Sequence, residues 1–238
     1  MTGTLLNVAT VLLGGGLGLA FGARLPERIR ATVVAGLGLF TAAIGVQMFL
    51  GTQNAIIVLV SLLLGGVLGE WGDIEARLEG MGAWLQARFA SGAEGGSARF
   101  VRGFLTASLV FCVGPLTILG SIQDGLTGDY RLLAIKSALD GFAALVFASS
   151  LGAGVLFSAL VVLGFQGGIS LLASQAAAVL SPEMVAEMTA VGGLLLVGIA
   201  VSSLLELKAI RVGNFLPALF IAPAIVALLA ALGITYIL

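Results

Sequence analysis

The sequence contains no histidine and a single cysteine, Cys112. The first absence removes the commonest general base and the commonest metal ligand. It excludes Ser-His-Asp and Cys-His enzymes, while serine–lysine and carboxylate chemistries stay open on composition alone. One cysteine closes no intramolecular disulfide, so the redox compartment cannot be read. Cys112 is expected as a small apolar packing residue. Charge is scarce too: 10% of the 238 residues are charged and the formal net charge is −1. A nucleic-acid partner needs a basic face, so none is expected. No Lys or Arg precedes Arg24. A secretory signal begins with a basic stretch, so residues 4–22 read as a retained transmembrane helix.

What the chain does have is apolar length. It is 59% hydrophobic with a mean hydropathy of +1.16. Soluble domains average about 45–50% apolar and about 25% charged residues, so this composition points to a membrane protein. The 35 glycines lie largely within the apolar runs, where they let helix backbones approach closely.

A hydrocarbon core of about 30 Å takes roughly 20 apolar residues of helix. Runs of that kind occur at 4–22, 32–50, 55–69, 103–120, 132–151, 154–178, 188–205 and 215–236. They predict an all-α, polytopic bundle of about eight spans. The third run is short, and the fourth and fifth are interrupted. Seven spans, or six with re-entrant pieces, therefore remain as alternatives. Residues 70–102 are the one sizeable polar segment. Within it Ile74, Leu78, Met81, Trp84, Leu85 and Phe89 recur at helical spacing. This predicts an amphipathic helix over 73–90, with Trp84 at headgroup level or with its apolar face packed on the protein itself. Ser91 to Ser97 reads as a Gly/Ser linker.

Basic residues set the orientation. Arg24, Arg28 and Arg30 follow span one. Arg77, Arg88, Arg99 and Arg102 follow span three, and Lys208 and Arg211 follow span seven. With eight spans and both termini outside, all of these face the cytoplasm, as the positive-inside rule requires. Only Arg131 and Lys136 of the eleven basic residues are left out.

The two ends of the chain also echo each other. VLLGGG at 11–16 resembles LGFQGG at 163–168. Leu25-Pro26-Glu27 is echoed by Ser181-Pro182-Glu183, and Gly36 falls opposite Gly192. Spans one to three then resemble spans six to eight in inverted orientation, an arrangement in which transporters place a site where repeats meet. The expected organisation is one transmembrane domain over 1–238. It comprises a first repeat at 1–69, a cytoplasmic helix and linker at 70–102, a central broken pair at 103–151 and a second repeat at 154–238.

Polar residues concentrate between Gly103 and Gly168. Lys136 and Asp140 are four apart, hence on one helix face. A charge at mid-bilayer costs about 2.5–3.5 kcal/mol on insertion scales, so this pair marks either a solute pathway or a structural ion pair. Lys136, near the span's start, can also snorkel. Gly114-Pro115 breaks the preceding span, because proline lacks the N–H that the helical ladder needs. The freed carbonyls bind a cation or are satisfied by neighbouring side chains. Ser121, Gln123 and Asp124 end that broken span, with Asp124 read as the mouth of a pathway or a solvated loop acid. Asn7, Ser158, Gln166 and Asn214 are uncharged polar residues of the kind that bond across helices. Ser158 and Gln166, eight apart on one face, are expected to share a cavity with Asp140. Gly14, Gly18 and Gly22 form a small-residue ridge, for packing within the chain or against another copy.

Three segments are specific enough to carry a resemblance: FCVGP, GSIQDGLTGD and KSALDG. Within FVRGFLTASLVFCVGPLTILGSIQDGLTGD, KSALDGFAALVFASSLGAGVLFSA and QGGISLLA they make the chain similar to the bacterial membrane family DUF554, also called the YdfK/YqgA-like family. Asn7 with its glycine ridge, Gly69-Glu70, VGGLLLVGIA at 191–200 and VGNFLPAL at 212–219 agree. The resemblance implies a multi-spanning protein of the bacterial inner membrane, and brings no site residues with it.

The expected function is a secondary transporter or channel for a small solute or ion. Its pathway residues are Asp140, Lys136, Asp124, Gln166, Gln123, Ser158, Gly114 and Pro115. The alternative is a membrane interaction or scaffold protein that docks through 70–102 and its glycine ridges. An enzyme is not expected, because no nucleophile with an oriented base is visible. Neither is a cofactor or a bound metal. The expected partners are the lipid bilayer, the solute or ion, and a second copy of the chain.

Overall fold

A computed structural model describes residues 1–22, 26–89 and 96–233. Arg24, most of the Ser91–Ser97 linker and the last residues of the eighth predicted run lie outside the described residues. Within them the chain is helical: α1 (Thr2–Gly22), α2 (Glu27–Phe49), α3 (Ala55–Trp71), α4 (Ile74–Phe89), α5 (Gly96–Cys112), α6 (Pro115–Thr127), α7 (Arg131–Leu151), α8 (Gly154–Leu171), α9 (Ala173–Val179), α10 (Pro182–Ile199) and α11 (Ala218–Ala231). A π-helical turn over Ala200–Leu204 extends α10, and a 3-10 turn over Val212–Phe215 precedes α11. Six helical segments are long and apolar enough to cross a membrane. Two bent pairs, α3 with α4 (60°) and α5 with α6 (62°), raise the number to eight if each is one span.

Local chemistry accounts for the starts and stops. Asn54 caps α3, its side chain accepting from Ile56 N at 3.0 Å, which satisfies a donor that the first helical turn leaves free. Ser181 does the same for α10 with Met184 N at 3.3 Å, and Pro182 opens that helix, where its missing N–H costs nothing. Between α5 and α6, Gly114 has φ +147°, a region open to glycine and strained for other residues. α7 is one unbroken helix of 21 residues. The expected interruption of the fifth run is absent, because the polar groups of Lys136 and Asp140 pair along the helix and leave its ladder intact. The fourth run is broken at Gly114-Pro115 as expected, and the sixth divides into α8 and α9 at Leu172.

The helices form two compact units. The first holds residues 1–37, 79–112 and 116–177. In it α1 runs parallel to α7: Gly3 lies against Leu133, Gly14 against Gly141 and Gly18 against Leu145. A Cβ on Gly14 would sit 2.0 Å from Gly141 O, so the ridge at Gly14 and Gly18 is filled from within the chain. α8 runs antiparallel to α1, with Gly15 beside Leu156 and Gly167 beside Thr4. α5 packs on the end of α7: Arg99 at its start donates to Ser150 O at 2.9 Å, Gly103 lies against Leu151, and Phe111 near its end meets Phe147, ring centroids 6.2 Å apart. Leu85 of α4 is buried with Phe100 and Phe104, while Trp84 is exposed. The amphipathic helix thus exists, with part of its apolar face packed on the chain itself.

The second unit holds residues 38–78, 113–115 and 178–238. α3 and α11 are antiparallel neighbours, with Gly65 against Ala218 and Gly69 against Asn214. Ile57, Val58, Ala190, Val191, Ala218, Ala222 and Val226 make its core. α2 meets α10 where Gly45 and Gly193 face each other's carbonyl.

Candidate functional site

The polar centre of the first unit begins with one helix face. Asp140 stands at the middle of α7 (Arg131–Leu151). Lys136, one turn earlier, ion-pairs with its Oδ2. The pair is 6% and 8% exposed, so neither charge reaches water freely. Parallel packing of α1 brings Asn7 to the same place. Its Nδ2 donates to Asp140 Oδ2 at 2.9 Å and to Gln166 Oε1 of α8, also at 2.9 Å. Gln166 Nε2 in turn lies 3.4 Å from Thr4 Oγ1. Asn7, Gln166 and Thr4 are each 0% exposed.

The orientation of the Asn7 amide follows from charge. Reversing it would set its oxygen against the Asp140 carboxylate and the Gln166 carbonyl, both of which only accept. Both donors of Asn7 are therefore spent, and its Oδ1 is buried without a partner. A buried acceptor left bare costs about 1–3 kcal/mol.

Asp124 closes the same unit near the end at which α1 begins. It is 3% exposed and accepts from Gly3 N at 3.1 Å and from Met1 N at 3.0 Å. The carboxylate caps the start of α1, a favourable place for an anion. Its Oδ1 is buried and unpartnered, as is the hydroxyl of Ser170. Gly125, next to Asp124, packs on the Ser170 carbonyl. Thus Asp124 is a buried acid rather than a solvated one.

The break at Gly114-Pro115 is satisfied internally in part. Thr117 Oγ1 donates to Phe111 O at 3.2 Å across the break, and Ser121 Oγ to Thr117 O at 2.5 Å. Among the described residues nothing lies within 4 Å of where a Gly114 Cβ would be. Two of the expected residues stand apart from the centre. Ser158 is buried but donates to its own helix, to Val155 O at 2.6 Å. Gln123 sits at the rim, donating to Asp129 at 3.2 Å. Asp129 lies in the loop before α7, where the hydrogen-bonded Arg131 guanidinium holds its carboxyl down at about 2.

Sequence reasoning treated Asn7 as one bundle-holding residue among several, yet it is the hub that joins α1, α7 and α8. Thr4 it did not weigh. It also passed over Glu187 of α10, which is 0% exposed. That carboxylate accepts from Thr52 Oγ1 at 2.6 Å, Gln53 N at 2.7 Å and Asn54 N at 3.0 Å, and so caps the start of α3. The available signal was its place as an acid inside AEMTAVGG, by the same rule that singled out Asp140. Asn214 plays the cross-helix part expected of it, donating to Glu70 Oε2 at 2.6 Å and accepting from Glu75 N at 2.8 Å. Among the described residues no group of three or more Cys, Asp or Glu side chains is placed to hold a metal ion.

With this arrangement in view, the comparisons are specific. The family described as "Protein of unknown function (DUF554)" matches residues 2–227. The chain is 30% identical over 240 residues to "Uncharacterized membrane protein YdfK" of Bacillus subtilis (strain 168), covering 99% of this chain and 100% of the relative. It is 34% identical over 221 residues to "Uncharacterized protein YqgA" of Escherichia coli (strain K12), covering 92% of this chain and 94% of the relative. No solved structure matches it.

Proposed function

The chain belongs to the DUF554 family of multi-pass membrane proteins, and from that premise we propose that it is a secondary transporter or channel for a small solute or ion. The observation that carries this reading is the buried Lys136–Asp140–Asn7–Gln166 cluster. Three membrane-spanning helices converge on it, and it holds the buried Lys136–Asp140 pair of α7. Intramembrane charge is expensive and is most often tied to ion or substrate movement. Asp124, with one bare oxygen, stands nearer the end of the same unit and supports a path toward the cluster.

Inverted symmetry supports the same reading. Each span of the first proposed repeat has its counterpart as an antiparallel neighbour: α1 with α8, α2 with α10, α3 with α11. On the alignment of VLLGGG with LGFQGG, the contact of Gly15 with Leu156 is the counterpart of that between Gly167 and Thr4. The parallel run of α1 with α7, and the antiparallel run of α8, suit eight alternating spans. The basic loops then favour a bacterial inner membrane with both termini outside. An enzymatic role has no support in the side chains gathered here.

A scaffold function is the second reading. It is favoured by Gly164 and Gly168 of α8, a small-residue pair beside which nothing among the described residues lies within 4 Å, as at a surface made for another helix. A thermal-shift screen of the detergent-purified protein against ions and metabolites separates the two. A solute at 100 times its dissociation constant raises stability by about 2.7 kcal/mol, and the shift is absent in Asp140→Asn. A scaffold gives a flat screen and a crosslinked partner on α8 or α4.

A further inference from the structure

Independently of the transport reading, the outward face of α4 (Ile74–Phe89) carries a chemistry of its own. One face of this helix meets protein: Gly82 packs against Val101 and Phe104, and Leu85 is buried with Phe100 and Phe104. Arg77, Met81, Trp84 and Arg88 stand at i, i+4, i+7 and i+11, so they share a different face. All four are exposed, Trp84 by 61%. Glu75 and Glu79 fall on a third face. The exposed stripe therefore combines two guanidinium groups with two large apolar side chains and holds no acid. The exposed residues beside it, Ala76, Gly80 and Ala87, are small and uncharged, which lets the helix settle closely on a flat surface.

We propose that this face lies on the membrane surface and binds anionic phospholipid of the leaflet at the Trp71 end of α3. Continuity with α3 supplies the position. α3 has 17 residues, about 25 Å of helix against a hydrocarbon core of about 30 Å. It ends at Trp71, which is exposed, and tryptophan collects at the level of the headgroups. The chain then bends by 60° into α4. Glu75, Arg77, Glu79 and Arg88 make α4 too costly to enter hydrocarbon, so it stays at the surface where α3 emerges. There Trp84 and Met81 reach the upper acyl carbons, while the arginine stems carry their guanidinium groups to the phosphate oxygens. A zwitterionic headgroup offers the same phosphate but offsets it with its own ammonium. The two arginines therefore select lipids of net negative charge. Each strengthens attraction to an anionic surface about fivefold, and the two together up to about 25-fold.

The test uses the full chain in nanodiscs of mixed phosphatidylcholine and phosphatidylglycerol. Trp71→Phe leaves Trp84 as the only tryptophan of the chain. Bromine atoms high on the acyl chains are carried either by the phosphatidylglycerol or by an equal mole fraction of the phosphatidylcholine, and quenching of Trp84 is compared. Stronger quenching from the brominated phosphatidylglycerol is expected, and the preference weakens at high salt. In the same background Arg88→Gln lowers the preference about fivefold, and Arg77→Gln/Arg88→Gln brings it to parity with Trp84 still quenched by lipid. Equal quenching by the two lipids with both arginines in place overturns the anionic selection and needs no arginine variant to fold. Trp84 open to aqueous acrylamide and untouched by either brominated lipid overturns the membrane contact. Trp84 shielded from lipid and acrylamide alike gives the face to protein, a second copy or a partner, and overturns the lipid assignment. A double variant that keeps the preference moves the selection to another part of the chain.

Discussion

Asp140 and Lys136 illustrate what a buried pair demands of single residues. Removing one partner strands the other, which typically costs about 3–5 kcal/mol, whereas replacing both by apolar groups is often neutral or stabilising. Asp140→Asn is therefore expected to lower the melting temperature as well as abolish flux. The double variant Lys136→Met/Asp140→Leu recovers the melting temperature but not the flux. A double variant that regained transport would remove the pair from the mechanism. Glu187 gives a second contrast. In Glu187→Gln the amide oxygen still accepts from Gln53 N and Asn54 N, and its nitrogen donates to Thr52 Oγ1, so little stability is lost. Glu187→Ala leaves those N–H groups bare and costs about 1–3 kcal/mol, visible in a thermal melt. Asp129 shows the small, solvent-screened case. Its pKa falls from the ordinary 3.8 to about 2 through Arg131. The contribution is complete above pH ~4 and is lost as pH falls toward ~2. It is small because solvent screens the pair, whose Arg131 partner is exposed. Asp129→Asn should flatten that part of an acid melt and lower stability by the same small, constant amount at pH 6–8.

Elements are set by where backbones can turn and approach. At Gly114, φ +147° leaves an empty surrounding, so Gly114→Ala is penalised by backbone strain alone, about 1–3 kcal/mol. At Gly14 the opposite holds. The backbone is ordinary helix, and a Cβ would lie 2.0 Å from Gly141 O. Gly14→Ala must therefore push α1 off α7 and separate Asn7 from Asp140. Both variants are read in one series: Gly114→Ala lowers stability with flux retained, and Gly14→Ala loses both. The amphipathic helix α4 was legible from its three-and-four spacing. That spacing did not show which of its apolar residues meet protein, and Leu85 and Trp84 divide on that point. The predicted break in the fifth run failed for a related reason. Polar residues inside an apolar run signal interruption only when their own backbone is left unsatisfied, and the pair four apart is compatible with an intact ladder.

For the whole molecule, the proposed alternation of eight spans makes a direct topological prediction. In a Cys112→Ser background, Asp129→Cys is labelled by a membrane-impermeant maleimide added to intact cells. Lys208→Cys is labelled only after the membrane is opened. Labelling in the reverse pattern inverts the orientation argued from the basic loops.

The sequence by itself determined the class of the protein: a membrane bundle, the places of its apolar helices with ends up to seven residues off, and the Lys136–Asp140 face, because hydropathy, caps and spacing are local properties. The tertiary structure decided the rest. Asn7 reaches Asp140 across 133 residues and Gln166 across 159, and Glu187 reaches Thr52 across 135. No local pattern encodes such partners. It also decided that the ridge at Gly14 and Gly18 is filled from within, that Ser158 serves its own helix, and that Asp124 is a buried cap. Each outcome depends on which helix lies alongside, and that is settled by packing between segments far apart in the chain.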